Sequence, residues 1–378
     1  MRMFCLVFLI AFFSVRGGYG VEEQRQELSF RNEVQLAISR GLAYLKAQQK
    51  PEGYWSLDEH PALTALPLMA FRNEPQGRYR EGREEFIQRG YQFIRSKAQP
   101  DGGIYVRGLS NYNTSLALLA LLHTGVAEDD LLVRKARAFL IGQQAKGMAD
   151  ESLDGGVGYG PTGVSPKRQH PDLDNTLVAL EALRAFQAAH ASEEKPSQDD
   201  LNWKAAIEFI SRTQNLPETN PKASGAEEDR GGFVYYPGFS NADPIQGPRA
   251  LRSYGSMSYA GLLSFIYADL SKEDPRVLAA VEWLSRNYSV EENPGMGKAG
   301  LYYYYYLMTK GLTAAGIQQL PLADGKKVAW RPLLARKVLD LQQGDGSWAN
   351  ENGRWMEKDP VLVTSYCVLL LEMLVNRP

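Results

Sequence analysis

The chain has 378 residues, with 42 basic and 44 acidic side chains and an apolar fraction of 44%. This length fits one large domain or two small ones, and the near-zero net charge with scattered basic residues excludes a nucleic-acid-binding surface. Four histidines in no metal-binding pattern, and Cys367 as the one cysteine outside the N-terminal segment, give no zinc signal and no intramolecular disulfide. We therefore expect neither metal nor cofactor.

The first twenty residues have the layout of a secretory signal peptide. A short basic start precedes the apolar run "MFCLVFLIAFFSV", and the small residues of "RGGYG" offer a cleavage site after Gly20. The run is shorter than the roughly 20 apolar residues of a membrane-spanning helix. We expect an exported protein with a mature chain of residues 21–378, with an uncleaved N-terminal anchor as the alternative.

Beyond that segment, six stretches share one pattern, in which a helix ends and a polar, glycine-containing turn leads to an aromatic or aliphatic residue. In chain order they are "AYLKAQQKPEGYW" at 43–55, "QFIRSKAQPDGGIY" at 92–105, "AFLIGQQ" and "LDGGVGY" at 138–144 and 153–159, "EFISRTQN" and "DRGGFVYY" at 208–215 and 229–236, "EWLSRNYSVEENPGMGKAGLYY" at 282–303, and "VLDLQQGDGSW" at 338–348. The third and fourth copies carry insertions between helix and turn.

Each copy places an amphipathic helix before the turn and a largely apolar helix after it, as in "DNTLVALEALRAF" and "PVLVTSYCVLLLEML". A helix that is apolar on most sides is buried, and its amphipathic partner covers it. Strand patterns are weak. The sequence predicts an all-α protein, a single α/α barrel domain over 21–378 made of six helical hairpins. The apolar helices form an inner ring and the amphipathic helices an outer ring.

The stretch "QQGDGSW" at 342–348 resembles the Gln-Trp repeat of squalene-hopene cyclases and oxidosqualene cyclases, whose barrel type the prenyltransferases share. The stretches "QPDGG" and "DRGGF" are similar to degraded forms of that repeat. The resemblance implies a terpene cyclase-like α/α barrel. In it the Gln side chains bond free backbone groups at helix ends and the Trp rings cover the junctions, so that the turns tie outer helices together without a catalytic role.

The motif "DLDNT" at 172–176 is the part of the resemblance that concerns catalysis. Family cyclases have an Asp-x-Asp-Asp-Thr element at the start of an inner helix, and its middle Asp protonates the substrate. The match implies that Asp174 is the general acid, that Asp172 tunes it and that Asn175, at the position of the last acid, orients it. Asp and Asn before an apolar run are also preferred helix N-cap residues, so plain capping stays open as an alternative.

In a ring of hairpins, all inner helices point the same way, and their N-termini gather at one mouth of the barrel. A concave apolar bore with polar groups at its rim is typical of a ligand site. The sequence also holds five consecutive tyrosines at 302–306, of which we expect two or three to face the bore. The predicted substrate-binding residues are His60, Tyr112, Asn113, Arg252, Tyr254, Lys298, Tyr302, Tyr303, Tyr306 and Asp359.

The function that the resemblance implies is that of a terpenoid cyclase-like protein, which binds a polyprenoid in the bore or cyclises it by protonation. An active enzyme would then be an isomerase or lyase of the terpene cyclase/mutase type. Two alternatives remain open, namely an exported binding or scaffold protein on the same barrel and a carbohydrate-active α/α-barrel enzyme. The expected partner is a polyprenoid or another apolar small molecule, and association with a membrane surface is compatible with such a ligand.

Overall fold

The structure is a computed structural model that describes residues 16–122, 124–160, 169–191, 200–244 and 249–375, with backbone alone for 16–27. The apolar run of the predicted signal peptide therefore lies outside the described residues, while the predicted cleavage site falls within the first helix. No helix in the described ranges is long and apolar enough to cross a membrane.

The described residues form twelve α-helices and two small antiparallel ribbons. The helices are α1 (Arg16–Gln48), α2 (Ala62–Arg72), α3 (Glu85–Ser96), α4 (Ser110–Leu121), α5 (Ala127–Gly142), α6 (Leu173–Ala189), α7 (Trp203–Thr213), α8 (Gly255–Tyr267), α9 (Pro275–Arg286), α10 (Leu301–Ala314), α11 (Trp330–Asp340) and α12 (Pro360–Val375). Strand β1 (Val157–Gly158) pairs with β2 (Pro171–Asp172), and β3 (Leu320–Pro321) pairs with β4 (Lys327–Val328). The prediction of an all-α protein is confirmed.

Burial differs between odd-numbered and even-numbered helices. In α12, every residue from Val361 to Glu372 is buried, whereas α3 buries one face, which includes Phe86, Phe93 and Ile94. An apolar surface on all sides requires packing partners on all sides, while a single apolar stripe requires a partner on one side. The even-numbered helices accordingly lie in the interior, and the odd-numbered helices lie against them.

The even-numbered helices contact one another in a closed order. Helix α2 contacts α4, α4 contacts α6, α6 contacts α8, α8 contacts α10, α10 contacts α12, and α12 contacts α2. Helix α3 packs on α2, α9 packs on α8, and α5 contacts both α4 and α6. Helix α1 packs mainly on α12, so the two ends of the described chain meet.

Five turns that lead from an odd-numbered to an even-numbered helix share one hydrogen bond, from a backbone amide of the turn to a side-chain hydroxyl of the helix. Before α12, the amide of Trp348 donates to Oγ1 of Thr364 at 3.0 Å. Equivalent amide-to-hydroxyl bonds join Trp55 to Thr64, Ile104 to Thr114, Val157 to Thr176 and Phe233 to Ser258. Each bond fixes the end of a turn to the first turns of the helix that follows.

The same five turns each place one glycine against the backbone of a neighbouring odd-numbered helix. Gly346 has φ of 92°, in the left-handed region, and a Cβ built on it would lie 2.7 Å from the carbonyl oxygen of Arg40. The other four glycines have φ of 91–95° and equally close carbonyl contacts; they are Gly53, Gly102, Gly155 and Gly231. Both the backbone angle and the approach exclude a side chain at these positions.

A glutamine before the turn connects neighbouring odd-numbered helices. Gln342, after α11, donates from Nε2 to the carbonyl of Ala37 in α1 at 3.0 Å. Gln49, after α1, donates in the same way to Phe86 in α3 at 2.7 Å. The indole Nε1 of the fully buried Trp348 donates to the carbonyl of Val338 at 2.8 Å. These contacts join helix to helix and lie in the scaffold.

The turn before α10 is built differently. Gly300, at the N-cap position, has φ of 65° and offers no side chain to the free amides of the helix. The hydroxyls of Tyr304 and Tyr305 donate back to the carbonyls of Ser289 and Val290, at 2.8 and 2.5 Å. The amides at the start of α10 are therefore left for a residue from elsewhere in the chain.

Candidate active site

A cavity of about 340 Å³ lies where the first turns of all six even-numbered helices meet. Its walls are mainly apolar and aromatic, with a few polar groups, as in small-molecule sites. The lining residues are His60, Ala62, Leu63, Leu109, Tyr112, Asn113, Tyr159, Asp174, Tyr235, Asn241, Tyr254, Ser256, Met257, Gly300, Tyr303, Trp355, Met356, Glu357, Leu362 and Tyr366.

Asp174 is the acid of the "DLDNT" motif that reaches this cavity. It lies in the first turn of α6, and its Oδ1 accepts a hydrogen bond from the hydroxyl of Tyr303 at 2.5 Å. Burial raises the pKa of Asp174, and the bond from Tyr303 and the charge of Lys310 offset part of that rise. A buried carboxyl with a raised pKa retains its proton to higher pH than an exposed one.

Asp172 has a different environment, although it is only two residues away. It is the N-cap of α6, with Oδ1 accepting from the amide nitrogen of Asn175 and Oδ2 from Nδ2 of the same residue, both at 2.8 Å. Burial, and then repulsion by Asp174, raise the pKa of Asp172 to about 8. The two explanations of the motif therefore apply to separate residues, because Asp172 caps the helix and Asp174 faces the cavity.

The role predicted for Asn175 needs correction. Its side-chain amide donates to Asp172, and its side-chain oxygen accepts from Nδ2 of Asn111 at 3.2 Å. Asn175 thus orients the cap, whereas Tyr303 is the residue bonded to Asp174. The chain order placed Asn175 next to Asp174, but successive residues of a helix point in different directions, so the neighbour in sequence is not the neighbour in space.

Glu357 is a second carboxyl group at the cavity. It comes from the loop before α12 and has 1% exposure. Its Oε1 accepts from the amide nitrogen of Tyr303 at 2.8 Å, and its Oε2 accepts from Nδ2 of Asn350 at 2.6 Å. The amides of Leu301 and Tyr302 also bond the carboxylate, so Glu357 fills the place of the missing cap of α10. Burial raises the pKa of Glu357 to about 7, against these bonds.

The residues before Glu357 form part of the cavity rim. Trp355 and Met356 both have left-handed backbone angles, φ of 55° and 65°, and are 45% and 37% exposed. The guanidinium of Arg354 lies over the Trp355 ring at 4.3 Å and donates to Oδ1 of Asn241 at 3.0 Å. Such angles are costly for non-glycine residues and tend to occur at functional sites.

Other aromatic groups complete the walls. The hydroxyls of Tyr112 and Tyr366 are 3.3 Å apart, and the ring centroids of Tyr303 and Tyr366 are 5.6 Å apart. On the other side, the hydroxyls of Tyr159 and Tyr235 are 2.5 Å apart, and Tyr235 also bonds Asp172. The faces of such rings attract cations. Burial lowers the pKa of His60, which keeps this imidazole neutral to lower pH than an exposed one.

Six of the predicted site residues line the cavity, and the others do not. Those that line it are His60, Tyr112, Asn113, Asp174, Tyr254 and Tyr303. Arg252 and Lys298 are exposed, with Lys298 donating to the carbonyl of Glu291. Asp359 accepts from the amide of Val361 at 2.9 Å and from the hydroxyl of Ser56, which makes it a cap of α12.

The five tyrosines divide by helix face, and only Tyr303 lines the described cavity. Tyr306 stacks on Tyr366 at 5.3 Å, and Tyr302 packs edge-on against Tyr305 at 6.0 Å. Tyr303 and Tyr306, three residues apart, share a helix face and are partly buried, whereas the other three tyrosines are buried. That two or three tyrosines face the bore stays a prediction.

Sequence reasoning did not find Glu357, Trp355, Met356, Tyr159, Tyr235 or Tyr366. Tyr366 lies two turns inside α12 rather than at its start, and the other five come from turns and insertions whose positions no helical pattern gives. Within the described ranges, no group of three His, Cys, Asp or Glu side chains could hold a metal ion.

Comparison with known proteins gives the class to which this fold belongs. No protein-family model matches the chain. Solved structures of type II terpene cyclases superimpose on 91–92% of it. The chain thus has a terpene cyclase-like fold, as the resemblance in its sequence predicted.

The particular structures are those of the type II terpene cyclase MstE from Scytonema. A variant in complex with geranylgeranyl dihydroxybenzoate, its substrate, matches with TM-score 0.55, 13% identity, and coverage of 92% of this chain and 99% of that one. A variant with merosterolic acid A, its product, gives the same TM-score, identity and coverage.

In sequence, the chain is similar to "Terpene cyclase/mutase ntnI" from Nectria sp, with 28% identity over 144 residues. That match covers 34% of this chain and 20% of the relative. The MstE chains are covered almost completely, so a type II terpene cyclase can be about as long as the described part of this chain.

Proposed function

We propose that the protein is a type II terpene cyclase, an α/α toroid of six hairpins in which Asp174 protonates a polyprenoid held in the cavity. The observation that supports it most is the position of Asp174, a buried carboxyl with a raised pKa at the wall of an aromatic cavity. The surrounding fold is that of enzymes which bind such substrates.

The initiating step is a proton transfer from oxygen to carbon. Oδ1 of Asp174 accepts the Tyr303 hydrogen bond, which leaves Oδ2 to carry the proton that is transferred. The O–H bond breaks, a C–H bond forms at the terminal alkene, and the carboxylate that remains is stabilised by Tyr303 and by the N-terminal end of α6. Stabilising the conjugate base makes the carboxyl a stronger acid, and burial keeps it protonated until the alkene arrives.

The cation that forms then lies among aromatic rings. Tyr112, Tyr254, Tyr303, Trp355 and Tyr366 line the cavity, and their faces can stabilise positive charge as it moves along the chain. A cation in an apolar environment has no other source of solvation, and the rings do not trap it covalently as water would. The tyrosines thereby permit ring closure to proceed before a nucleophile intervenes.

The size of the cavity suggests a short polyprenoid. Its volume of about 340 Å³ is near the lower end of ligand pockets. We therefore propose a substrate shorter than squalene.

Two alternatives receive less support. A scaffold protein would tolerate a bore packed shut with side chains, whereas this bore is open. A carbohydrate-active enzyme, the other alternative, would need polar groups for sugar hydroxyls beside its two acids, whereas the walls around Asp174 and Glu357 are mainly apolar and aromatic. We also propose export of the mature chain, on the layout of residues 1–20; N-terminal sequencing of the native protein, expected to begin near Val21, tests it.

The test is turnover of polyprenoids of increasing length by the wild type, Asp174→Asn and Asp359→Asn, with products separated by gas chromatography and mass spectrometry. Asp174→Asn should lose about 10²–10⁴-fold in rate, since an amide cannot donate the proton. Asp359→Asn is the matched control, because Asn caps a helix about as well as Asp and Asp359 is outside the cavity. Absence of any cyclised product from the wild type, or equal turnover by Asp174→Asn, would contradict the proposal.

A further inference from the structure

Glu357 is the one carboxyl group at the described cavity that the initiating step does not use. Its recorded partners are all hydrogen-bond donors, namely the amides at the start of α10 and the side-chain amide of Asn350. Donors stabilise a carboxylate rather than a carboxylic acid, and the N-terminal end of a helix adds to that preference. The hydrogen bonds to Glu357 thus favour the carboxylate, the form that can accept a proton, and they act against burial, which raises its pKa to about 7.

Tyr303 fixes the position of this carboxylate relative to Asp174. The backbone nitrogen of Tyr303 donates to Oε1 of Glu357 at 2.8 Å, and its hydroxyl donates to Oδ1 of Asp174 at 2.5 Å. The two carboxyl groups therefore lie at opposite ends of one tyrosine, and both border the same cavity. A substrate in that cavity meets a proton donor at one place and a carboxylate about one side chain away.

We propose that Glu357 is the catalytic base that ends the cyclisation, an inference that rests on the proposed function. After Asp174 has protonated the alkene and ring closure has moved the cation, a C–H bond next to the cationic carbon breaks. Its electron pair becomes a C=C bond, and the proton passes to the carboxylate of Glu357. The product is an isomer of the substrate, and the net transfer is one proton from Asp174 to Glu357, which exchange with water reverses between turnovers.

The short distance between donor and acceptor also bears on the product. The charge has to reach the neighbourhood of Glu357 within about one tyrosine length of its origin at Asp174. We therefore expect a cyclic olefin whose new double bond faces the start of α10.

Helix capping is the competing role, because Glu357 also satisfies amides that Gly300 leaves free. A cap affects stability, while a base determines which proton the product loses. The two roles are separated by the ratio of product olefins at equal substrate consumption. This ratio does not change when a variant is merely less stable, provided that the variant is folded during the assay.

The experiment compares the wild type with Glu357→Gln, Glu357→Asp and Asp359→Asn, each checked for folding by circular dichroism. Glu357→Gln keeps the size of the side chain but cannot accept the proton, so the share of the main olefin should fall by about tenfold or more, with isomeric olefins and alcohols in its place. Glu357→Asp keeps a carboxylate withdrawn by one methylene and should give an intermediate ratio. Asp359→Asn alters a cap of α12 on the same loop but outside the cavity, and should give the wild-type ratio.

The outcomes separate the two proposals. If the wild type cyclises and folded Glu357→Gln gives the wild-type olefin ratio, the base assignment is overturned while the cyclase proposal stands. If Asp359→Asn changes the ratio as much as Glu357→Gln does, the ratio reports the structure of the loop and not the base, which also overturns the assignment. Should Glu357→Gln not fold, a wild-type ratio from Glu357→Asp overturns the assignment instead. Absence of turnover by the wild type would contradict both the cyclase proposal and the base assignment.

Discussion

The five similar turns and the turn before α10 solve the same problem in different ways. In the five, a hydroxyl inside the following helix binds the turn amide, and a glycine contacts the neighbouring helix backbone, as with Thr364 and Gly346 before α12. In the sixth, Tyr304 and Tyr305 hold the turn, and Glu357, a residue more than fifty positions later in the chain, caps the helix. The regular turns are closed by a hydroxyl of the helix that follows, while the irregular turn brings a carboxylate to the cavity.

The turn before α10 is where the described chain departs from the common turn pattern. Five of the six turns share one form. At α10 that form is absent, and the same helix supplies Tyr303, which bonds both Asp174 and Glu357. Local regularity is lost at functional sites because the site imposes requirements that compete with those of packing.

The largest effect on stability is expected at a regular turn. Trp348→Ala should lower the free energy of unfolding by about 3–5 kcal/mol, because the ring is fully buried and its indole nitrogen bonds the carbonyl of Val338. Trp355→Ala, at the exposed rim, is the matched control and should change it by about 0.5 kcal/mol. Denaturant titration measures both variants. Similar losses in the free energy of unfolding would mean that the turn contributes no more to stability than the rim does.

A smaller effect is expected at the turn glycine. Gly346→Ala should cost about 1–3 kcal/mol, since its φ of 92° is unfavourable for alanine and the new Cβ would meet the carbonyl of Arg40. Gly344→Ala, in the same turn but with open space at its Cβ, should be nearly neutral. Equal thermal midpoints for the two variants would contradict the close approach of this turn to α1.

The smallest effect on stability, counted per pH unit, distinguishes the buried carboxyl group of Asp172 from an exposed carboxyl group of a turn. The pKa of Asp172 is raised to about 8, so between pH 4 and pH 8 the unfolded state releases this proton first, and folding becomes less favourable as pH rises. Asn at position 172 does not titrate, so the variant does not become less stable for this reason as pH rises. The free energy of unfolding of Asp172→Asn relative to the wild type should therefore increase with pH, by at most about 1.4 kcal/mol per unit.

Asp345 provides the control of opposite sign. Hydrogen bonds from Ser347 lower its pKa, so its stabilising contribution is complete above the unfolded value and is lost only as pH falls below it. The stability difference between Asp345→Asn and the wild type should therefore be constant from pH 5 to pH 8. A constant difference for Asp172→Asn as well would show that Asp172 is not buried in its protonated form.

Most of the fold could be predicted because its signals are local. The apolar character of α12 and the polar-glycine turn before it are both visible in a few consecutive residues, and so is the cap that begins α6. The sequence also put Asp174 at the start of an inner helix, which is where it lies. Periodicity and turn chemistry act over short distances, so one sequence contains them.

The rest of the site depends on contacts between distant residues. Glu357 lies in an irregular loop, and nothing near it indicates that it caps α10. Tyr235 comes from a turn and reaches Asp172 through space. In contrast, Arg252 and Lys298 have suitable positions near helix starts, but their side chains are exposed. The start of a helix determines the position of a residue along the helix. It does not determine whether the side chain points toward the cavity.

The contact between the two ends of the described chain has a consequence for biosynthesis. Gln342 bonds Ala37, and Arg40 donates to the carbonyl of Gln343, across more than 300 positions. At about 5–20 residues per second of synthesis, α1 emerges from the ribosome roughly 15–60 s before these partners exist. Its apolar face, with Ile38, Leu42 and Leu45, has to be protected in the meantime, because its neighbours α11 and α12 are made much later. The contacts of α1 with α11 and α12 then span the largest sequence separation, and folding should remain incomplete until α12 is released.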